Sequence, residues 1–255
     1  MPELPEVETF RRRIMGGAEG KVIEDARVDG IRLLPESRGD PEASLRGRRI
    51  VGSRRNGKSL FLELDDGNWL FLHFGMSGYP LFFQEDAPRF ARLLLTMDEG
   101  NLAICWPRRL GAMAILDDVD SFLAAKGRGP DALDVGWEHF RRGFKGRRTV
   151  KSLLLDQSFI SGVGNLYADE MLYQTGVLPT RPAEDVSEEE IRHLHSSMIR
   201  ALEESLAADT EFPRLPADMM LRVRGKGGAC PRCSGPWSIA KVAGRTSYFC
   251  ASCQC

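Results

Sequence analysis

Leu153–Glu170 reads LLLDQSFISGVGNLYADE, two helical stretches broken at Gly162-Val163-Gly164-Asn165. Glycines at such a break let backbone N–H groups approach a phosphate. Asn165 is placed to cap the second helix, whose positive end favours an anion. An ordinary helix–helix turn has the same appearance, so this stretch by itself defines two closely linked helices and leaves their ligand open.

The surroundings divide by periodicity. Downstream, Ser187 with Glu190 predicts a capping box, followed by Ile191, Leu194, Met198, Leu202 and Leu206 on one helical face. Upstream, Gly127-Arg128-Gly129-Pro130 ends a region, residues 20 to 116, that reads as strands. Leu60, Leu62 and Leu64 alternate with Phe61, Glu63 and Asp65. Asp66-Gly67 is a hairpin turn, and Trp69 to Phe74 is the return strand. Further strands are expected at Arg92–Met97, Leu102–Trp106 and Ala112–Leu116, a succession that suggests a sandwich. A short helix precedes them, with Pro5 in its first turn, Glu6 and Glu8 at its positive end, and Gly16-Gly17 as the expected stop.

The composition is that of a globular protein: 255 residues, 42% hydrophobic and 28% charged, which argues against disorder. Without a membrane-spanning run or a signal-peptide pattern, the expectation is a soluble cytoplasmic protein with no membrane partner. The net charge of −1 does not announce nucleic-acid binding, but its distribution is uneven. Six Lys/Arg and no acidic residue lie between Leu221 and Cys255, and six basic residues against one acidic lie between Trp137 and Lys151. Local fields, rather than net charge, attract phosphates; either run taken alone also fits a solvated face.

Cys230-x2-Cys233 and Cys250-x2-Cys253 stand sixteen residues apart. Two such knuckles brought together by a hairpin supply four thiolates, a closed tetrahedral site for one structural Zn²⁺. Two disulfides fit poorly with an intracellular chain. Cys105 reads as a core residue and Cys255 as incidental. The finger hairpin carries Lys241, Arg245, Thr246 and Ser247, residue types that contact phosphates.

At the other end stands Met1-Pro2-Glu3-Leu4-Pro5-Glu6. Removal of Met1 leaves Pro2 with a secondary amine. An α-amine has a pKa of about 7.7–8.0 against about 10.4 for lysine, so far more of it is neutral at physiological pH and able to form an iminium at a sugar carbon. Glu3 lies beside it as a proton carrier. Helix capping alone also accounts for Pro5-Glu6.

Together these pieces resemble the formamidopyrimidine-DNA glycosylase and endonuclease VIII family. PELPEVET at the start, HFGMSG at His73–Gly78, PRRLG at Pro107–Gly111, the Leu153–Glu170 stretch and the four-cysteine finger follow the family's order from Pro2 to Gln254. The resemblance implies an α+β fold: an N-terminal two-layer β-sandwich domain (residues 1–128), a helical helix–two-turn–helix domain (129–221) and a C-terminal four-cysteine zinc-finger β-hairpin (222–255), with DNA in the cleft between the larger domains. It implies a bifunctional glycosylase and abasic-site lyase of base excision repair, a monomer acting on double-stranded DNA that contains damaged bases or abasic sites.

The resemblance also implies roles. Pro2 is the Schiff-base nucleophile, Glu3 the general acid, and Glu6 the support of that site. Lys58 serves β-elimination at the lesion phosphate, and Arg245 assists δ-elimination. Met76, Arg108 and Leu110 match the wedge that fills the gap left by a flipped base. Arg147, Lys151, Gly164 and Asn165 contact phosphates, Arg89 adds a donor, and His73 is structural or a minor backbone contact.

Three departures stand out. Leu110 replaces the usual Phe of the formamidopyrimidine branch, and Arg89 stands near a position often held by His. Ser205–Arg222 lacks the Gly-Gly-Thr-Thr-like motif and is short of the loop that caps a flipped 8-oxopurine. The expectation is weak action on 8-oxoguanine. The alternatives are an endonuclease VIII-like preference for oxidised pyrimidines, or a non-catalytic damaged-DNA binding module.

Overall fold

Pro5 lies in the first turn of α1 (Leu4–Ala18) with Glu6 at its positive end. The helix does not stop at Gly16-Gly17 but runs on to Glu19-Gly20. Gly17 serves proximity instead: a Cβ there would meet the Phe82 ring at 2.4 Å, so only glycine lets this helix face lie flat on the neighbouring strand. The computed structural model describes residues 1–108 and 110–255; Arg109 of the PRRLG motif lies outside the described residues.

After α1 come β1 (Ile23–Val28), β2 (Arg32–Leu33), α2 (Pro41–Leu45), β3 (Ile50–Asn56), β4 (Ser59–Leu64), β5 (Trp69–His73), β6 (Tyr79–Phe83), β7 (Ala91–Met97), β8 (Asn101–Cys105), β9 (Ala112–Leu116) and α3 (Val119–Ala125). Among the described residues they form one sheet in the order β2-β9-β5-β4-β3 and another in the order β1-β7-β8-β6. Leu60, Leu62, Leu70, Leu72 and Met113 of the first sheet pack with Leu93, Leu95, Leu102 and Ile104 of the second, with Val7 and Ile14 of α1 closing the core. Phe61 departs from the alternation read in the sequence. It is buried on the opposite face of β4, where Phe71, Ala114 and Leu116 meet Val119 and Phe122 of α3. The Phe71 and Phe122 rings lie 4.9 Å apart. A helix covering the outer face turns a half-buried strand into one buried on both sides.

Strand register gathers the connecting segments. Asn56 pairs with Ser59, Ser59 with His73, and His73 with Ala112. In the second sheet Tyr79 and Ala91 both pair with Cys105. The Gly57-Lys58 turn, residues 74–78, residues 106–108 and 110–111, and the residues just before Ala91 therefore all leave the sandwich at one end.

These elements make up a unit spanning Met1–Gly127; Arg128–Cys255 form a second unit. The second contains α4 (Trp137–Arg142), α5 (Val150–Leu154), α6 (Asn165–Thr175), α7 (Glu188–Ala207) and the hairpin of β10 (Ser238–Val242) and β11 (Arg245–Phe249). The capping box of α7 forms as read: the Glu190 carboxylate accepts the Ser187 N–H at 2.8 Å. The finger belongs to the helical unit, where Tyr173 of α6 and Met220 pack with Trp237, Cys230 and Cys250. No described helix is long and apolar enough to cross a membrane.

Candidate active site and nucleic-acid interface

The head of α1 buries acid. Glu3 is 1% exposed, and Glu6 closes a capping box on it, its Oε2 accepting the Glu3 N–H at 2.9 Å. Burial raises the Glu6 pKa above the ordinary carboxylate value, and the nearby Glu3 charge raises it further; backbone hydrogen bonds offset part of the shift. Pro2 precedes them, partly exposed.

Salt links lay α1 along β3. The Arg11 guanidinium donates to Ser53 Oγ at 3.1 Å, and Glu8 pairs with Arg55 at 3.2 Å. Burial would raise the Glu8 pKa, but hydrogen bonds and charge from Arg11, Arg55 and Arg12 outweigh it and bring the value down. Arg11 beside Ser53 and Glu8 beside Arg55 make helix and strand run in opposite directions. The head of α1 accordingly points toward the Asn56–Ser59 turn, which carries the half-buried Lys58.

The same end of the sandwich presents Met76 at 41% and Leu110 at 54% exposure, with Arg108 exposed between them in sequence. Large apolar side chains held out in turns contribute nothing to the core, and they fit the role of wedge. Trp106 organises these turns from beneath. Its indole N–H donates to the His73 carbonyl at 3.2 Å, and its backbone N–H donates to the Phe90 carbonyl at 2.9 Å. The His73 ring accepts the Gly75 N–H at 3.2 Å, a contact inside the turn that supports the structural reading of this histidine. Arg89 is exposed. The sequence reading passed over Trp106; its signal was a tryptophan adjoining a Pro-Arg-Arg turn.

In the second unit, Gln157 braces the helix–two-turn–helix. Its side chain donates to the Leu155 and Val163 carbonyls and accepts the Gly162 N–H. Gly164 is the N-cap of α6, so Asn165 begins that helix and does not cap it. The Asn165 amide instead donates to the Thr246 carbonyl of the finger hairpin at 2.9 Å. Arg245 follows the Ala243-Gly244 turn and is exposed; Arg147 has a side chain 92% exposed.

Lys151 requires correction as a phosphate contact. Its side chain is fully buried, 2.5 Å from Asp169 and 2.6 Å from Ser247 Oγ. Asp169 also pairs with Arg224 at 2.6 Å and accepts the Tyr248 N–H at 3.1 Å. This lysine ties α5 to α6 and the finger strand, and an ammonium so enclosed has no path to a DNA backbone. Asp169 and Arg224 were not singled out from the sequence, because nothing local marks an aspartate as the centre of a buried ionic cluster.

The four finger cysteines have their Sγ atoms within 4.8 Å of one another. Cys230 and Cys253 are 3.8 Å apart, and Cys233 and Cys250 are 3.4 Å apart. A tetrahedron of thiolates around Zn²⁺ has edges of about 3.8 Å, so these residues fit a metal ion.

A buried glutamate with a second bonded beside it, a lysine turn and apolar tips at one end of a sandwich, in a chain that also carries a helix–two-turn–helix and a cysteine finger, define a DNA glycosylase of the base-excision class. Residues 1–113 match the formamidopyrimidine-DNA glycosylase N-terminal domain, and residues 127–214 match its H2TH domain. The chain is 34% identical to the formamidopyrimidine-DNA glycosylase of Desulforamulus reducens, over 100% of this chain and 99% of the relative. It is 35% identical to that of Acidovorax sp. (strain JS42) with the same coverage. Among solved structures it resembles Lactococcus lactis formamidopyrimidine-DNA glycosylase bound non-covalently to abasic-site DNA, with TM-score 0.88, 30% identity and 99% of each chain covered. It likewise resembles MutM in complex with carbocyclic 8-oxo-G DNA, with TM-score 0.89, 31% identity and 100% of each chain covered. The chain belongs to the formamidopyrimidine-DNA glycosylase family and is a DNA glycosylase of base excision repair.

Proposed function

We propose that the chain is a bifunctional glycosylase and abasic-site lyase, a cytoplasmic monomer acting on double-stranded DNA with oxidised bases. The observation that carries this reading is the buried Glu3 with the half-buried Glu6 bonded to its N–H at the head of α1, directed at the Lys58 turn. With Met1 removed, the neutral Pro2 nitrogen attacks C1′ of the damaged nucleotide while Glu3 protonates the opening sugar. The base leaves with its bonding electrons and takes up the amine's proton; the C1′–O4′ bond then breaks, its oxygen keeping the Glu3 proton, and nitrogen and carbon are left as an iminium. Loss of a C2′ proton then expels the 3′ phosphate, with Lys58 at that backbone; a second elimination, assisted by Arg245, expels the 5′ phosphate. Glu6, its pKa raised, supports proton traffic at Glu3. Met76, Arg108 and Leu110 occupy the vacated stack, and Arg89, Arg147, Gly164 and Asn165 lie along the backbone. Cys230, Cys233, Cys250 and Cys253 hold one Zn²⁺, which braces the hairpin and leaves no open position for water. Borohydride trapping on a duplex with an abasic site tests the reading: a covalent complex at Pro2 is expected, and its absence under tight binding would refute it.

A second reading concerns the lesion. The alignment to the Desulforamulus relative spans 278 positions against the 255 residues here, so 23 of its positions have no counterpart in this chain. Its segment after α7 is also tied down. Glu170 accepts the Leu221 N–H at 2.7 Å, Arg200 pairs with Asp218 at 2.9 Å, and Leu215, Met219, Met220 and Leu221 are buried. A strut so anchored is poorly suited to close over a flipped base, which favours ring-opened purines or oxidised pyrimidines over 8-oxoguanine.

A further inference from the structure

Phe90 is a bulky residue with φ of 68°, in the left-handed region that side chains of its kind rarely adopt. It is 36% exposed and lies at the surface. The Ala91 N–H donates to the Pro88 carbonyl at 3.1 Å, closing a turn with Arg89 and Phe90 at its centre, and two further contacts hold the residue. The Trp106 N–H donates to its carbonyl at 2.9 Å, and the Arg89 guanidinium lies 4.6 Å from its ring centroid. Trp106 is the residue that also fastens the Met76 turn through the His73 carbonyl. Ala91, the next residue, pairs with Cys105 at the end of β8, from which the chain goes on to Trp106 and Arg108. An aromatic ring, an arginine and two apolar tips thus emerge from one end of one sandwich, and the backbone is strained where the ring is presented.

We propose that Phe90 is a DNA-contacting residue that stacks on a nucleotide unstacked at the lesion, with Arg89 beside it meeting the phosphate. This rests on the reading of the chain as a damaged-DNA enzyme. Met76 and Leu110 are aliphatic and have no π face to offer a base; Phe90 supplies one at the same end of the sandwich. Intact duplex has few exposed base faces, whereas a kinked abasic duplex has them, so the contact favours damaged over undamaged DNA. The turn accounts for the positive φ, and a bulky ring kept at a turn position that favours glycine fits a role for the ring itself.

The test compares wild type, Phe90→Gly and Phe90→Trp in the full chain. Thermal unfolding is measured, with affinity for a duplex carrying a tetrahydrofuran abasic analogue, affinity for the undamaged duplex, and borohydride trapping on a natural abasic site. Glycine is at ease with positive φ, so Phe90→Gly is expected to unfold at or above the wild-type temperature. Its affinity for the abasic duplex is expected to fall at least about fivefold, with a smaller change on undamaged DNA. Phe90→Trp is expected to keep the wild-type preference. Wild-type affinity in a stable Phe90→Gly, or equal losses on both duplexes, would overturn the stacking role. A wild-type protein that prefers the abasic duplex through Phe90 but forms no covalent complex would sink the lyase reading and leave this contact standing.

Discussion

Gly75 lies so close to Leu110 that a Cβ at residue 75 would come within 2.3 Å of the Leu110 carbonyl oxygen. The turn that exposes Met76 and the turn that exposes Leu110 are thereby a single packed object, and the φ of 61° at Gly75 adds a second demand for glycine. Gly75→Ala is expected to destabilise the protein by about 1–3 kcal/mol and to weaken binding to abasic duplex by moving both tips. Gly20→Ala is the control, since Gly20 also has positive φ but no atom within 4 Å of the added Cβ. Calorimetry and DNA titration showing the two variants alike would mean the turn-to-turn contact has no role.

The Pro2 amine makes a sharp demand on the start of the chain. One extra residue before Pro2 converts its nitrogen to a tertiary amide, which has no lone pair free to form an iminium. Such a variant is expected to bind abasic duplex normally and to give no borohydride-trapped complex. Mass analysis of the working protein should find Met1 absent. Normal trapping by the extended form would remove Pro2 from the mechanism.

The raised Glu6 pKa gives a stability prediction with a definite sign. A carboxyl whose folded pKa lies above its unfolded value of about 4.5 contributes stability below that value, and the contribution is lost as pH rises through the folded pKa. Glu6→Gln keeps an oxygen to accept the Glu3 N–H but has no charge to bury. Its stability relative to wild type is therefore expected to improve from pH 4.5 to pH 8 in urea titrations, while base excision slows. A difference that does not vary with pH would contradict the burial of charge at Glu6.

For the finger, metal analysis is expected to find one zinc per chain. Cys250→Ser leaves three thiolates, and zinc content, stability of the helical unit and DNA affinity should fall together. Full DNA affinity in zinc-free protein would defeat the structural role.

Substrate choice follows from the anchored segment after α7. Single-turnover excision is expected to be slower on 8-oxoguanine than on formamidopyrimidines or oxidised pyrimidines. Two missing hydrogen bonds to a flipped base, at about 1–3 kcal/mol each, correspond to a factor of roughly ten to more than a thousand. An 8-oxoguanine rate equal to the others would show that this segment does not decide the lesion.

Much of the molecule was determined by residues close together in the chain. The Ser187–Glu190 cap, the Asp66-Gly67 turn, the strand at Ala112–Leu116 and the two cysteine knuckles depend on neighbours a few positions away, so their chemistry is legible in the sequence. The order of motifs from Pro2 to the finger likewise sufficed to indicate the family. Tertiary structure alone decided what covers each side chain. Lys151 reads as a surface cation until Asp169 and Ser247 close around it, and Phe61 reads as outward-facing until α3 lies over it. Gly17 reads as a helix stop until Phe82 is seen against it. Burial and electrostatic pairing depend on which distant segments the fold brings near, and no local pattern encodes that proximity.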